Sequence, residues 1–128
     1  MSSIKLQVNT EKHKYPIHIG NNILNKIQKL LKENLINFNQ CLVIVDKNVP
    51  KELVNKILNS LPKKKIILHH FNANEKNKNF KSINKILSIL LGNNFNRNDC
   101  LISIGGGITG DVSGFAASIF KRGLRFVN

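Results

Sequence analysis

The sequence contains no tryptophan, one tyrosine, two cysteines and three prolines, and only seven acidic residues stand against twenty lysines and arginines. Two cysteines are too few for a disulfide framework. A domain of 128 residues needs none, since it buries roughly two-thirds of its unfolded surface. Cys41 and Cys100 each open an apolar run, the setting of a buried reduced thiol acting as a small hydrophobe. No apolar run approaches the roughly 20 residues that cross a bilayer, which excludes a membrane-spanning helix. The N-terminal stretch MSSIKLQVNTEKHKYPIHIG lacks the charged-then-apolar order of a signal peptide, so a cytoplasmic location is expected.

The surplus of basic residues gives a net charge of +13, which raises the question of a nucleic-acid partner. Asn occurs 20 times, Lys 17 and Ile 17, together 54 residues, and all three are encoded by A/T-rich codons. Base composition can therefore supply the charge. Only Lys63-Lys64-Lys65 forms a run, and with so few aromatics no basic stripe carries rings on which bases could stack. The basicity reads as a solvated surface.

Hydrophobic periodicity organises the rest. Ile4 to Val8 alternates with period two, as does Tyr15 to Ile19, predicting two short strands closed by Gly20. Ile23, Leu24, Ile27, Leu30 and Leu31 recur at helical spacing. Cys41-Leu42-Val43-Ile44-Val45 is a continuous apolar run of the kind buried on both faces of a parallel sheet. Residues 50 to 61 predict a helix with Pro50 in its first turn and Leu53, Val54, Ile57, Leu58 and Leu61 on one face. A strand over Lys65 to His69, a polar loop from Asn72 to Asn79, and a helix carrying Ile83, Ile86, Leu87, Leu90 and Leu91 follow, stopped by Gly92-Asn93-Asn94. Cys100 to Ile104 is another buried strand, and a helix is expected from near Gly110. Strands alternating with helices predict an α/β domain with a mostly parallel sheet, preceded by the two short N-terminal strands. Leu124 to Asn128 reads as the first half of one more strand, so the expected domain, residues 1–128, is truncated near its C-terminal end. Ile102, Ile104, Phe115, Phe120 and Phe126 are then expected to lack part of their packing and to leave an apolar patch.

The chemistry concentrates in Gly105-Gly106-Gly107-Ile108-Thr109-Gly110-Asp111, between a strand and a helix. Gly105, Gly107 and Gly110 satisfy G-x-G-x-x-G, in which glycines admit a pyrophosphate to the backbone and helix N–H groups receive its charge. A turn that merely packs a helix close to a strand would satisfy the same pattern. A dinucleotide fingerprint usually opens the first βα unit, whereas here the first buried strand ends in Asp46-Lys47-Asn48.

The longer string from Gly105 to Ala117, followed by Lys121-Arg122-Gly123, closely resembles the signature of the 3-dehydroquinate synthases, sugar-phosphate cyclases of the shikimate pathway. Asn74-Glu75-Lys76-Asn77-Lys78 resembles the family's G-E-x-x-K element, with Asn74 in place of the glycine; Asn tolerates left-handed φ better than most residues. Asp46-Lys47-Asn48-Val49 is similar to a third cofactor element. The resemblance covers the whole chain but only about the first third of a family member. It implies a Rossmann-like N-terminal domain and an enzyme that uses NAD without net consumption. The family converts 3-deoxy-D-arabino-heptulosonate 7-phosphate to 3-dehydroquinate and phosphate. A divalent metal, zinc or cobalt, is implied, held by a Glu and two His in a C-terminal helical domain beyond Asn128.

Residue by residue, the resemblance places Asp46 and Asn48 at the adenosine end of NAD; as a residue type Asp46 could equally cap the helix at Pro50. Glu75 and Lys78 match cofactor-contacting positions and could otherwise be solvated charges. Gly106, Gly107 and Gly110 would lie along the pyrophosphate, and Ile108 and Thr109 match cofactor-binding positions. Asp111 would orient the nicotinamide ribose or cap the helix. Arg122 matches a substrate-binding arginine, offered by the neighbouring subunit of a homodimer; a permanently charged fork suits a phosphate or carboxylate. Arg125 reads as surface charge. His13 and His18, and the adjacent His69 and His70, do not converge as a metal site requires. Two other readings stand beside the enzyme: a non-catalytic truncated remnant, and a basic nucleic-acid-binding α/β domain whose DNA affinity would fall with salt.

Overall fold

A computed structural model describes residues 3–128. The alternating N-terminal residues form β1 (Ile4–Asn9) and β2 (Lys14–Ile19), an antiparallel ribbon of its own. A 3-10 turn over Ile23–Lys26 runs into α1 (Ile27–Glu33). The α/β units follow: β3 (Gln40–Asp46), α2 (Lys51–Asn59), β4 (Lys65–Phe71), α3 (Phe80–Gly92), β5 (Cys100–Ile104), α4 (Gly107–Ile119) and β6 (Arg125–Val127). Short 3-10 turns over Glu75–Asn77 and Phe120–Arg122 precede α3 and β6.

Strands β3 to β6 make one parallel sheet in the order β4-β3-β5-β6. Side chains alternate across it, as the pleat requires. Leu42, Ile44 and Leu101 point into a core layer completed by Ile83, Ile86 and Leu90 of α3 and Val112, Ala116 and Ala117 of α4. Cys41, Val43, Val45, Cys100, Ile102 and Ile104 point the other way, against Leu31 of α1 and Val54 and Ile57 of α2. The two central strands are thus covered on both faces, which is why they read as unbroken apolar runs. Cys41 and Cys100 are register partners with free, fully buried thiols. The neighbouring Cys100 thiol and burial together push the Cys41 thiol far above its ordinary pKa, so it stays protonated.

Several expectations are corrected. Helix α4 begins at Gly107, three residues before Gly110, because extended Gly106 serves as its N-cap and the Gly110 N–H donates to the Gly106 carbonyl at 3.0 Å. Glycine's poor helix propensity hid this turn, and burial of Thr109, Val112 and Ser113 against the sheet overrides it. Helix α2 ends at Asn59, leaving Leu61 buried beyond it and Leu53 exposed. Leu91 of α3 is likewise exposed. The anticipated patch does not form around β6: Ile102, Ile104 and Phe120 are buried and Phe126 is half-buried, and of that group only Phe115 is exposed. Phe126 and Val127 of β6 each pack against one of the two core layers.

Two polar groups fasten the amino ends of the strands. Asp99, only 1% exposed, accepts hydrogen bonds from the Gln40 N–H (3.1 Å), the Asn96 N–H (3.0 Å) and the Gln40 side-chain amide (3.3 Å). Arg125 is no free surface charge. Its guanidinium donates to the carbonyls of Asn37 and Asn98, tying β6 to the segments that lead into β3 and β5. Replacing Asp99 with alanine would leave these part-buried N–H groups without their acceptor. Asp99→Ala is therefore expected to cost about 2–3 kcal/mol in urea denaturation, and the isosteric Asp99→Asn less.

Candidate functional site

The two crossovers that flank the sheet centre lie on opposite faces. From β3 the chain turns toward α2 on one face, and from β5 it turns toward α4 on the other. The loops after β3 and β5 therefore diverge, and a crevice opens at the carboxyl ends of these adjacent strands, where doubly wound sheets bind ligands. This explains why the glycines follow the third parallel strand in the sequence and not the first. In this strand order the first and third are neighbours.

Gly105 sits where the loops are closest. A Cβ on it would lie 2.8 Å from Thr109 Oγ1 and 3.0 Å from Asp46 Cβ, so only glycine lets the two strand ends approach. Gly106 and Gly107 differ: beyond the adjoining backbone, no atom lies within 4 Å of where their Cβ atoms would be, so this side of the loop faces open space. The N–H groups of Gly107, Ile108 and Thr109 precede the first intrahelical donor, and no side chain caps them. They form an uncapped, positively polarised end of a 13-residue helix aimed along the crevice.

The other predicted residues divide by position. Asp46 does not cap α2, whose N-cap is Pro50; its carboxylate accepts from the Asn48 N–H at 3.0 Å and shapes the turn beside Gly105. Asn48 is exposed at that turn. Asn74 is extended at φ −148°, not left-handed, and its side chain caps the 3-10 turn by accepting from the Asn77 N–H at 3.0 Å. That turn carries Glu75 and Lys78, both exposed. Lys78 Nζ lies 2.9 Å from an Asp111 carboxylate oxygen, so Asp111 is an ion-pair partner and not a helix cap. The carboxylate holds the Lys78 ammonium above its ordinary pKa. Thr109 presents only its backbone to the crevice, because its hydroxyl is fully buried behind Gly105. Ile108 is half-buried against the α3/α4 core, and Gly110 is buried against Asn128.

Arg122 lies apart. The length of α4 separates it from Gly107, ~20 Å at the helical rise. It lines an open cleft of about 530 Å3 with Asn96, Arg97, Asn98 and Lys121. Lys121 (φ 44°), Arg122 (φ 64°) and Gly123 (φ 116°) hold consecutive positive φ values there, and Lys121 Nζ donates to the Phe95 carbonyl at 2.8 Å. Two contributors escaped the sequence reading. Gly105 was visible as part of a motif but not as the tightest contact. The edge-to-face pair of Phe80 and Phe115, with ring centroids 6.3 Å apart, runs parallel to the Lys78–Asp111 pair and had no sequence signal, since its members are 35 residues apart. Among the described residues no group of three His, Cys, Asp or Glu side chains could hold a metal.

Comparison with known proteins falls into line with this geometry. A family model described as 3-dehydroquinate synthase N-terminal matches residues 68–128. The chain is 69% identical over 128 residues to the 3-dehydroquinate synthase of Pelagibacter ubique (strain HTCC1062), covering 100% of this chain and 35% of that protein. Over its whole length the chain is similar to 3-dehydroquinate synthases. The Blochmanniella floridana 3-dehydroquinate synthase is 34% identical over 125 residues, with 96% of this chain and 34% of that protein covered. The chain thus spans about a third of the length of these relatives. Its fold matches that of a crystal structure of 2-deoxy-scyllo-inosose synthase complexed with carbaglucose-6-phosphate, NAD+ and Co2+, with a TM-score of 0.84 at 22% identity over 96% of this chain and 34% of that one.

The contrast among the glycines is testable without any ligand. Gly105→Ala must push Thr109 and Asp46 apart and is expected to lose about 1–3 kcal/mol. Gly107→Ala meets nothing and improves the helix, so its melt should stay level or rise, by up to ~1 kcal/mol. Thermal melting of the two variants beside the parent chain checks both.

Proposed function

We propose that the chain is the cofactor-binding portion of a 3-dehydroquinate synthase, an NAD-using, phosphate-eliminating cyclase acting on 3-deoxy-D-arabino-heptulosonate 7-phosphate in aromatic amino acid biosynthesis. One observation carries the reading. The three segments that the family signature marks, 46–48, 75–78 and 106–111, meet at one crevice: Asp46 abuts Gly105, and Lys78 bonds Asp111.

The residues suit NAD. The open backbone of Gly106 and Gly107 offers room that any Cβ would reduce, and the uncapped N–H groups of residues 107 to 109 offer donors for a pyrophosphate. Asp46 and Asn48, at the end of β3, stand where a carboxylate can accept ribose hydroxyls at the adenosine end. The Lys78–Asp111 pair brings the 75–78 turn, with Glu75, to the flank of α4, within reach of the nicotinamide half. Asp111 beside a pyrophosphate would be repelled as a free carboxylate; bonded to Lys78 it is locally neutralised and still has an oxygen for a ribose hydroxyl. When bound, NAD would supply the transient oxidation of a ring hydroxyl that acidifies the neighbouring carbon for loss of phosphate. The chain's own residues hold and orient it.

Among the described residues no group of three His, Cys, Asp or Glu side chains could hold the divalent metal that the resemblance implies, zinc or cobalt; its Glu and two His ligands would belong to the C-terminal helical domain of the family. Arg122 would meet the phosphate or carboxylate of the sugar-phosphate substrate from the neighbouring subunit of a homodimer, since it stands at the far end of α4 from its own crevice. The working compartment would be the cytoplasm.

Calorimetric titration of the chain with NAD tests the assignment. Gly107→Val should abolish binding, because the branched side chain enters the cradle. Glu75→Gln should weaken binding by roughly tenfold with an unchanged melt. Equal affinity in both variants and the parent would exclude the crevice as the cofactor site. The 128-residue chain by itself, with NAD and metal added, should release no phosphate from the heptulosonate phosphate; fusion to the C-terminal domain of a relative should restore release.

A further inference from the structure

Seventeen lysines follow the A/T-rich composition of the chain, but arginine occurs only three times, and all three gather around one turn. Arg97 and Arg122 line the open cleft of about 530 Å3 together with Asn96, Asn98 and Lys121, and no carboxylate lines it. Among the described residues neither guanidinium has a hydrogen-bond or ion-pair partner. Asp99, the acid closest to Arg97 in the chain, is turned inward and already accepts from Gln40 and Asn96. Three cations around one cleft repel one another unless an anion stands between them.

Both walls of the cleft are nonetheless built to hold that arrangement. Residues 96–99 form a tight turn closed by the Asp99 N–H on the Asn96 carbonyl at 3.0 Å, with Arg97 at its tip. Asn96 Oδ1 accepts the Asn98 N–H at 2.9 Å, the Asp99 carboxylate accepts the Asn96 N–H, and Arg125 donates to the Asn98 carbonyl at 3.2 Å. Across the cleft, Lys121 (φ 44°) and Arg122 (φ 64°) occupy the left-handed region that side chains disfavour, a strain that persists only where the surroundings impose it. Lys121 imposes it here. Its Nζ donates to the Phe95 carbonyl at 2.8 Å and stands 5.4 Å from the centroid of the Phe120 ring. Phe95 directly precedes the Arg97 turn, so one ammonium ties the two arginine-bearing segments together.

We propose that Arg97 is a second anion-binding residue of the Arg122 cleft, and that Lys121 is the positioning residue that holds the two guanidiniums together as a site for a phosphate dianion. Each planar fork can give paired N–H groups to two oxygens of a tetrahedral anion, and the carboxamides of Asn96 and Asn98 add uncharged donors. A carboxylate balances one guanidinium; a phosphate monoester, with nearly two charges at neutral pH, balances both. Phosphate is therefore the group selected from the two anions named for Arg122, on whose reading as a substrate-binding residue this assignment rests. Lys121 spends its ammonium on a carbonyl and acts through geometry.

NMR titration of the labelled chain with inorganic phosphate at constant ionic strength reads the site directly, because only three arginine Nε–H signals exist. Those of Arg97 and Arg122 should shift along one saturation curve, while that of Arg125, held by carbonyls, should stay. Phosphate at the glycine loop would move none of them. Arg97→Gln should weaken binding about tenfold on the Arg122 signal. Arg97→Lys keeps the charge without the fork and should also weaken it. Lys121→Met should weaken it several-fold, and Lys121→Arg, able to donate to the Phe95 carbonyl again, should restore it. Lys63→Gln removes one charge from a run elsewhere and should change nothing. Arg97 is exposed, so its variants should melt like the parent. Parent affinity in Arg97→Gln or in Arg97→Lys would remove Arg97 from the site and leave the reading of Arg122 intact. Parent affinity in Lys121→Met would remove the positioning role, and a titration that moves neither arginine signal would overturn both the site and the reading of Arg122.

Discussion

The site depends on one neighbour relation, the pairing of β3 with β5. Because these two strands are adjacent in the sheet and their outgoing helices lie on opposite faces, the loops at their carboxyl ends part. The pairing also fixes how close the two loops can come. Gly105 lies against Asp46 because Val45 and Ile104 are register partners, and a side chain at 105 would separate what the sheet holds together. The fully buried layers on both sides of β3 and β5 supply the force that maintains this, with each buried aliphatic side chain contributing about 1.5–3 kcal/mol relative to exposure.

In a chain with seven acidic residues and a charge of +13, the placement of each carboxylate stands out. Asp99 gathers backbone and amide donors at the amino ends of the strands. Asp46 shapes the turn at the carboxyl end of β3. Asp111 neutralises Lys78 across a gap of 33 residues and so brings the 75–78 turn onto α4. That pair is exposed to solvent and adds little stability by itself. Its effect is positional, and the Phe80–Phe115 contact alongside gives the same crossing an apolar rung. Arg125 closes the opposite end of the sheet, where its guanidinium donates to two carbonyls and does not act as a charge seeking an anion.

Much of this was legible in the residues. Continuous apolar runs at 41–45 and 100–104 marked the two strands buried on both faces, alternation marked the ribbon, and helical spacing in 83–91 marked α3, because burial imposes its period on sequence. The signature from Gly105 to Gly123 and the element at 74–78 pointed to the family, which the 69% identical relative bears out. What periodicity could not report was the outcome of competition between local preference and packing. Three glycines argue against a helix, and α4 begins among them nonetheless. An arginine near a chain end looks solvated, and Arg125 is held by carbonyls 88 and 27 residues away.

The sequence by itself determined which segments are strands, which are helices and where phosphate-friendly backbone lies, since these follow from hydrophobic period and from glycine's missing side chain. Only the tertiary structure decided the strand order, and with it which loops share a crevice. It brought Lys78 to Asp111, removed the Thr109 hydroxyl from the crevice while leaving its N–H there, and sent Arg122 to the far end of α4. The physical reason is the same in each case: contacts between residues distant in the chain are set by the closure of two core layers around β3 and β5, and no local pattern encodes which distant partner that closure selects.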